Sequence, residues 1–272
     1  MYLKKSVRLG AGCLFSQPDV FESRAHLIES QEIGHVQLMM IPTTEPSFRN
    51  QIEKFESYSG KIRIHAPHHM QQVNPCAPAL YADATIQDIH AHIEDAMAQT
   101  CEAADRTESK IIVLHAGRYL PGDKETAITQ FHDFLDLYHD PRFILESLPD
   151  LQQGYPYLGT TPRELLILGS DRVAGYCADF PHLWCTAQSQ QISYQDILYQ
   201  LAQLPVQFTH LSGSPGPNED RQHLLFDDPE NRFDLDLIRP YLMENPDLEI
   251  SLEFAVDDPE VIRTQLRIAS TL

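Results

Sequence analysis

A barrel of eight parallel strands, each followed by a helix, is the α/β fold this sequence predicts, on three observations. Strand-like apolar runs and helix-like stretches alternate from end to end of the 272 residues. Strict alternation builds a parallel sheet with right-handed crossovers, and this length suits closure into a single (β/α)8 TIM barrel over residues 1–272. Six of the apolar runs also end on a residue that can ligate a metal or move a proton: KIRIH on His65, KIIVLH on His115, RFILE on Glu146, VAGYCADFPH on Asp179 and His182, VQFTH on His210, and LEISLE on Glu253. A strand sends successive side chains to alternate faces, so an ionisable group inside such a run needs something to balance its polarity. Six endings at the C-terminal tips describe a ring of strands aiming ligands at one point, where a barrel of this kind keeps its chemistry.

Taken in order, the strands are read at 6–13 (SVRLGAGC), 35–41 (HVQLMMI), 61–66, 110–116, 142–147, 173–179, 205–211 and 248–254. Helical patterns fall near 18–30, 46–58, 83–105, 123–138, 161–169, 193–203, 234–243 and 257–268. Thr161-Pro162 with Glu164 following gives a cap and a proline in the first turn, and Ser193 precedes an i, i+3/i+4 apolar pattern. The longest irregular stretches, 67–82, 148–160 and 212–233, all follow strands and so belong to the catalytic face of a barrel.

Composition narrows the function classes. Hydrophobic content of 42% and charged content of 22% are those of an ordinary globular chain. The apolar runs are too short for a membrane span, and MYLKKSVRLG carries neither an apolar h-region nor a small-residue cleavage site. The expectation is a cytoplasmic protein with no membrane partner, as a monomer or a homodimer. Five cysteines (Cys13, Cys76, Cys101, Cys177, Cys185) with no C-x-x-C pair argue against a disulfide framework or a thiolate zinc site, and Cys177 reads as a core thiol. A net charge of −19 disfavours broad nucleic-acid binding, which depends on neutralising phosphates, and it suits a pocket holding several cations.

The strand tips gain force together. His65 and His115 alone read as hydrogen-bonded core histidines, whereas Glu146 is harder to dismiss, since glutamate is almost never fully buried unless paired or cation-bound. Asp179 and His182 form D-x-x-H, with Asp179 ending a strand and His182 returning from a loop. His223 lies in the long loop after strand seven near Asp220 and Arg221. Mixed His and carboxylate ligands suit Zn²⁺, Mn²⁺, Mg²⁺ or Fe²⁺, and eight candidates exceed the needs of one ion. A carboxylate-bridged cluster of two or three ions is the corresponding expectation. His90, His92, His132 and His139 read as helical surface residues.

With these tips in place the sequence resembles the xylose isomerase-like barrel superfamily and, within it, the endonuclease IV (AP endonuclease family 2) branch, by element order along the whole chain and by sequence at the strand tips. In that branch histidines end strands three and four, a bridging Glu ends strand five, D-x-x-H follows strand six, a His ends strand seven, an Asp/His pair follows in the next loop, and a Glu ends strand eight. The resemblance carries these onto His65, His115, Glu146, Asp179, His182, His210, His223 and Glu253. The loop Asp departs from the pattern, because Arg221 holds its place and Asp220 stands one residue further back. Strand one lacks the Gly-Gly turn of the branch, and PTTEPSFRN lacks its DNA-facing Lys/Asn/Arg/Trp segment. HAGRYLPGDKE is faintly similar to the UV-damage endonuclease branch.

The resemblance implies a metal-dependent hydrolase that cleaves a phosphodiester or phosphoester, abasic damaged DNA or something smaller, with a hydroxide held on zinc or manganese. Glu146 would bridge two ions, His65 and His115 completing one site and Asp179, His210 and Glu253 the other. His182 and His223 would hold a third ion or meet the phosphate. The sugar isomerase and epimerase branches share only Glu146, Asp179, His210 and Glu253, around one Mn²⁺ or Mg²⁺. They imply the alternative, a one-metal ketose isomerase or epimerase in which Glu146 and Glu253 exchange the proton while His182 and Arg221 hold the sugar. A barrel that keeps the ligands but only binds is a third reading.

Overall fold

The computed structural model describes residues 8–81, 84–218 and 222–272. Its strands are β1 (Leu9–Leu14), β2 (His35–Met39), β3 (Ile62–His65), β4 (Ile112–Leu114), β5 (Phe143–Glu146), β6 (Gly175–Asp179), β7 (Val206–Leu211) and β8 (Glu249–Leu252). They pair in parallel in chain order, and β8 returns to β1 through Leu9↔Ile250 and Gly10↔Ser251, closing the expected barrel.

Helices cover the outside: α1 (Pro18–Glu29), α2 (Glu45–Glu56), α3 (Ile86–Arg106), α4 (Lys124–Leu137), α5 (Pro162–Gly169), α6 (Phe180–Gln190), α7 (Tyr194–Leu201), α8 (Arg239–Glu244) and α9 (Pro259–Ala269). The caps expected at Thr161 and Ser193 form, accepting from the backbone N–H of Glu164 and Asp196. Two details of the sequence reading are corrected. Residues 180–190 form α6, so His182 sits in a helical first turn and not in a returning loop. Asp179 caps that turn by accepting the His182 N–H at 2.8 Å, and Pro181 fits there because first-turn N–H groups have no intrahelical acceptor. His139 lies beyond the end of α4, in exposed coil. Among the described residues no helix is long and apolar enough to cross a membrane.

Strand alternation sorts the barrel into two environments. Ile112, Leu114, Phe143, Leu145, Tyr176 and Ala178 join the large core beneath the helices. Ile111, Val113, Ile144, Cys177 and Phe208 form a separate buried cluster, the apolar filling of the barrel interior. Fully burying side chains of this size stabilises the fold by roughly 1.5–3 kcal/mol each. The same inward rows continue with polar residues: His35 and Gln37 on β2, Arg63 and His65 on β3, Glu249 and Ser251 on β8. Near the N-terminal ends Arg63 clasps Glu249 bidentately, Nε to Oε2 at 2.5 Å and Nη2 to Oε1 at 2.6 Å. Gly10 makes room for this interior, since a Cβ there would stand 2.1 Å from His35 Nε2.

Candidate metal centre

The inward rows of β3 to β8 each end in one of the sequence-derived candidates. His65, Glu146 and Asp179 are the last residues of β3, β5 and β6, His210 is the penultimate residue of β7, and His115 and Glu253 stand one position past β4 and β8. Two-residue periodicity puts them above Arg63, Ile144, Cys177, Phe208, Val113 and Ser251, facing the barrel axis. His65, Glu146, Asp179, His182 and His210 are all at most 4% exposed.

Glu146 is the hub. Its Oε2 lies 3.2 Å from His65 Nε2, 3.0 Å from His115 Nε2 and 3.2 Å from His210 Nδ1. Its Oε1 lies 3.6 Å from His182 Nδ1. Glu253 Oε1 is 3.3 Å from His210 Nε2, and its Oε2 is 3.6 Å from His223 Nδ1. His182 and His223 meet edge to face with ring centroids 5.4 Å apart. The structure thus brings together His65, His115, Glu146, Asp179, His182, His210, His223 and Glu253. Asp220 and Arg221 lie outside the described residues. His90 is exposed on α3, and His92 Nε2 is 2.9 Å from the Gln71 carbonyl, to which its protonated tautomer donates.

Three residues that sequence reasoning missed support the cluster. Ser147 Oγ accepts the Asp179 N–H at 2.9 Å, and its carbonyl is 3.1 Å from His182 Nδ1. Gln37 Nε2 donates to Glu253 Oε1 at 2.8 Å. His68 stacks on His115, centroids 4.9 Å apart and planes 18° from parallel. The available signals are Gln37, a polar residue in the strand HVQLMMI, and His68, which follows His65 and a proline in IHAPHHM.

The electrostatics are those of a ligand-rich, water-poor site. Burial opposes ionisation of Glu146, but His210 and His115 outweigh it and hold its carboxyl well below the usual range. Burial lifts Asp179 to about 6 despite His182 beside it. Burial works against the His182 imidazolium, yet the Asp179 carboxylate overcomes it and raises His182 to about 9. Burial takes His223 down to about 4 and Cys177 up to about 12.

The donor chemistry fits a cation. His65 Nδ1 is 2.7 Å from the Ala66 carbonyl, so in the neutral tautomer its Nε2 turns a lone pair toward Glu146 Oε2. Two lone pairs at that distance repel unless a proton or a metal lies between them. Glu146 Oε1, Asp179 Oδ2, both His210 nitrogens and His223 Nδ1 are buried with no hydrogen-bond partner among the described residues. Four groups of side chains place one ligand atom each within 4.8 Å of the others: His65–His115–Glu146, Glu146–Cys177–His210, Asp179–His182–His223, and Glu146–Asp179–His210–Glu253.

No family model and no curated protein matches this sequence. Solved structures do. Endonuclease IV from Thermus thermophilus superposes with a TM-score of 0.66 at 19% identity, over 97% of this chain and 98% of that one. A D-tagatose 3-epimerase-like protein gives 0.64 at 17% identity, over 97% and 98%. A second Thermus thermophilus protein, solved after soaking with ZnCl2, gives 0.62 at 16% identity, over 97% and 99%. Together with neighbours described as xylose isomerase domain proteins, they show that this chain has the fold of the xylose isomerase-like TIM barrels.

Proposed function

We propose that the chain is a metal-dependent phosphoester hydrolase of the endonuclease IV type. One observation carries the reading: Glu146 is shared. His65 and His115 approach its Oε2 at 3.2 and 3.0 Å, outside the Glu146–Asp179–His210–Glu253 quartet that a single ion needs. One buried carboxylate common to two ligand groups suits a pair of ions. His65 and His115 would complete one position, and Asp179, His210 and Glu253 the other. Asp179, His182 and His223 form a further group that could take a third ion or meet the phosphate. Zinc or manganese suits this nitrogen and oxygen donor set.

When bound, such ions supply a nucleophile at neutral pH and offset charge on the attacking and leaving oxygens. The chain's own residues do the rest. Glu146 stays ionised under the influence of His210 and His115, and so holds the two groups at one point. Ser147 fixes the Asp179 backbone and the His182 ring. His182, whose Nδ1 faces the Ser147 carbonyl and Asp179, would offer Nε2 to a phosphate oxygen. With a net charge of −19, a small phosphoester or a short damaged strand suits the surface better than long duplex DNA.

The second reading, a one-metal ketose isomerase or epimerase, is favoured by the quartet standing as a complete group. There Glu146 and Glu253 would exchange the substrate proton. Metal analysis of protein purified without chelator, paired with assays on abasic DNA, a generic phosphodiester and a ketose panel, tests both. Two or three ions and phosphoesterase turnover support the hydrolase. One ion on the quartet with ketose turnover replaces it by the isomerase.

A further inference from the structure

Among the interior rows, β2 sends no candidate ligand to the cluster, yet its Gln37 reaches it. The Gln37 side chain is 2% exposed and donates Nε2–H to Glu253 Oε1 at 2.8 Å, across 216 positions of sequence. We propose that Gln37 is a positioning residue for Glu253, fixing which carboxylate oxygen is left for a cation. The inference rests on the metal-binding reading above and deepens it.

Glu253 needs such a partner. It stands one residue past β8, where its backbone N–H still bonds the Leu211 carbonyl at 3.1 Å, while its side chain extends beyond the ladder. The two carboxylate oxygens are not equivalent. Oε1 receives the Gln37 N–H and lies 3.3 Å from His210 Nε2, whereas Oε2 lies on the His223 side at 3.6 Å. A donor on Oε1 stops the carboxylate from rotating and leaves the lone pairs of Oε2 uncommitted.

The donor is also of the right kind. Gln37 is neutral, so it orients the carboxylate without cancelling its charge. Arg63 shows the contrast in the same barrel: its guanidinium takes both oxygens of Glu249. A cation at position 37 would compete with a metal for Glu253, and an apolar residue would leave the carboxylate free to turn. Gln37 is itself rigidly placed, paired in register with Gly12 of β1 and Arg63 of β3, and Gly12 has no side chain to contest the space. A merely packing role accounts poorly for an amide here, because no donor among the described residues reaches its Oε1.

The experiment is zinc titration of chelator-stripped protein against a chromophoric chelator, for wild type, Gln37→Met and Gln37→Asn. Met keeps the volume and removes the donor. Asn keeps an amide and removes the reach, so it decides the matter if Met fails to fold. Both variants should weaken one ion by about 10- to 100-fold, the scale of losing an outer-shell hydrogen bond to a ligand, and leave the other ions within about twofold. The melting temperature of the stripped Met variant should shift by less than about 5 °C, as expected of a volume-conserving swap. Folded variants that bind every ion like wild type overturn the proposal and leave the metal reading standing. Equal weakening of every ion would mean a general structural role and also overturns it. A wild type that binds no zinc overturns the metal reading and this inference with it.

Discussion

Glu249 and Glu253 stand four residues apart on the same inward row of β8, and their surroundings teach what separates a structural charge from a chemical one. Glu249, toward the N-terminal end of the barrel, meets a bidentate Arg63 that is itself bound to the Gly60 and Ile62 carbonyls. Burial opposes its ionisation, the Arg63 contact prevails, and every strong group in the pair is answered. Glu253, at the C-terminal end, meets one neutral amide and imidazoles of His210 and His223. Arg63 and His65 repeat the contrast two residues apart on β3. At the lower end the charges of Arg63 and Glu249 answer each other, although both ring nitrogens of the nearby buried His35 have no partner among the described residues. The upper end instead gathers carboxylates and imidazoles around one point. Carboxylates and imidazoles converging on one point, more than burial or unpartnered atoms alone, set the upper end apart as the candidate metal centre.

The largest effects should come from the upper end. Glu146→Gln removes the charge shared by both ligand groups, and it should cost at least about 10²–10³-fold in turnover with loss of bound metal. Chelator-free metal analysis beside the phosphoesterase assay measures both. If full metal content and near-wild-type turnover persist, Glu146 is not the hub. His115→Ala sharpens the comparison within the cluster. A multi-metal hydrolase should lose an ion and about 10²-fold in turnover, while a one-metal isomerase, whose quartet omits His115, should lose mainly substrate affinity. Inactive Glu146→Gln with His115→Ala near wild type would reject the hydrolase.

The two ends also differ in how far they can be read from sequence. The strand tips are legible because a polar residue closing a short apolar run is conspicuous and strand geometry tells which way it points. Closure in chain order follows from alternation and length. Helix α6 is hidden: Asp179-Phe-Pro-His182 is both a cap signal and a ligand pair, and the second meaning masks the first. Its following residues, Leu183 to Ala187, are buried around most of the helix and show no amphipathic stripe. The bond from Gln37 to Glu253, and the pair between Arg63 and Glu249, join residues 216 and 186 positions apart, and no local pattern announces such partners.

A smaller effect should come from the lower end. Arg63→Met leaves Glu249 without its clasp, and because Glu249 is one-third exposed, water takes over part of the loss. The expected cost is about 1–3 kcal/mol of stability, read as a lower melting temperature, with metal affinity and turnover unchanged. A variant that keeps its stability but loses an ion would show that the two ends are coupled through the barrel, and that the contrast drawn between them is wrong.

The smallest expected effect lies in the backbone of His223. This residue has φ +62°, the left-handed region that a non-glycine side chain occupies at a cost of about 1 kcal/mol, and its Nδ1 is turned toward Glu253. The informative pair of variants is His223→Gly and His223→Ala. Both remove the imidazole, so both should weaken by the same factor whatever ion the Asp179–His182–His223 group holds. They differ only in how well they tolerate positive φ. Stripped of metal, the Gly variant should therefore be more stable than the Ala variant by about 1 kcal/mol, diminished by the extra chain entropy that glycine loses on folding. Thermal melts of the stripped proteins read the difference. Equal melting temperatures would mean that the loop relaxes once the ring is gone, and that His223 is held by its contacts with His182 and Glu253 and not by the backbone.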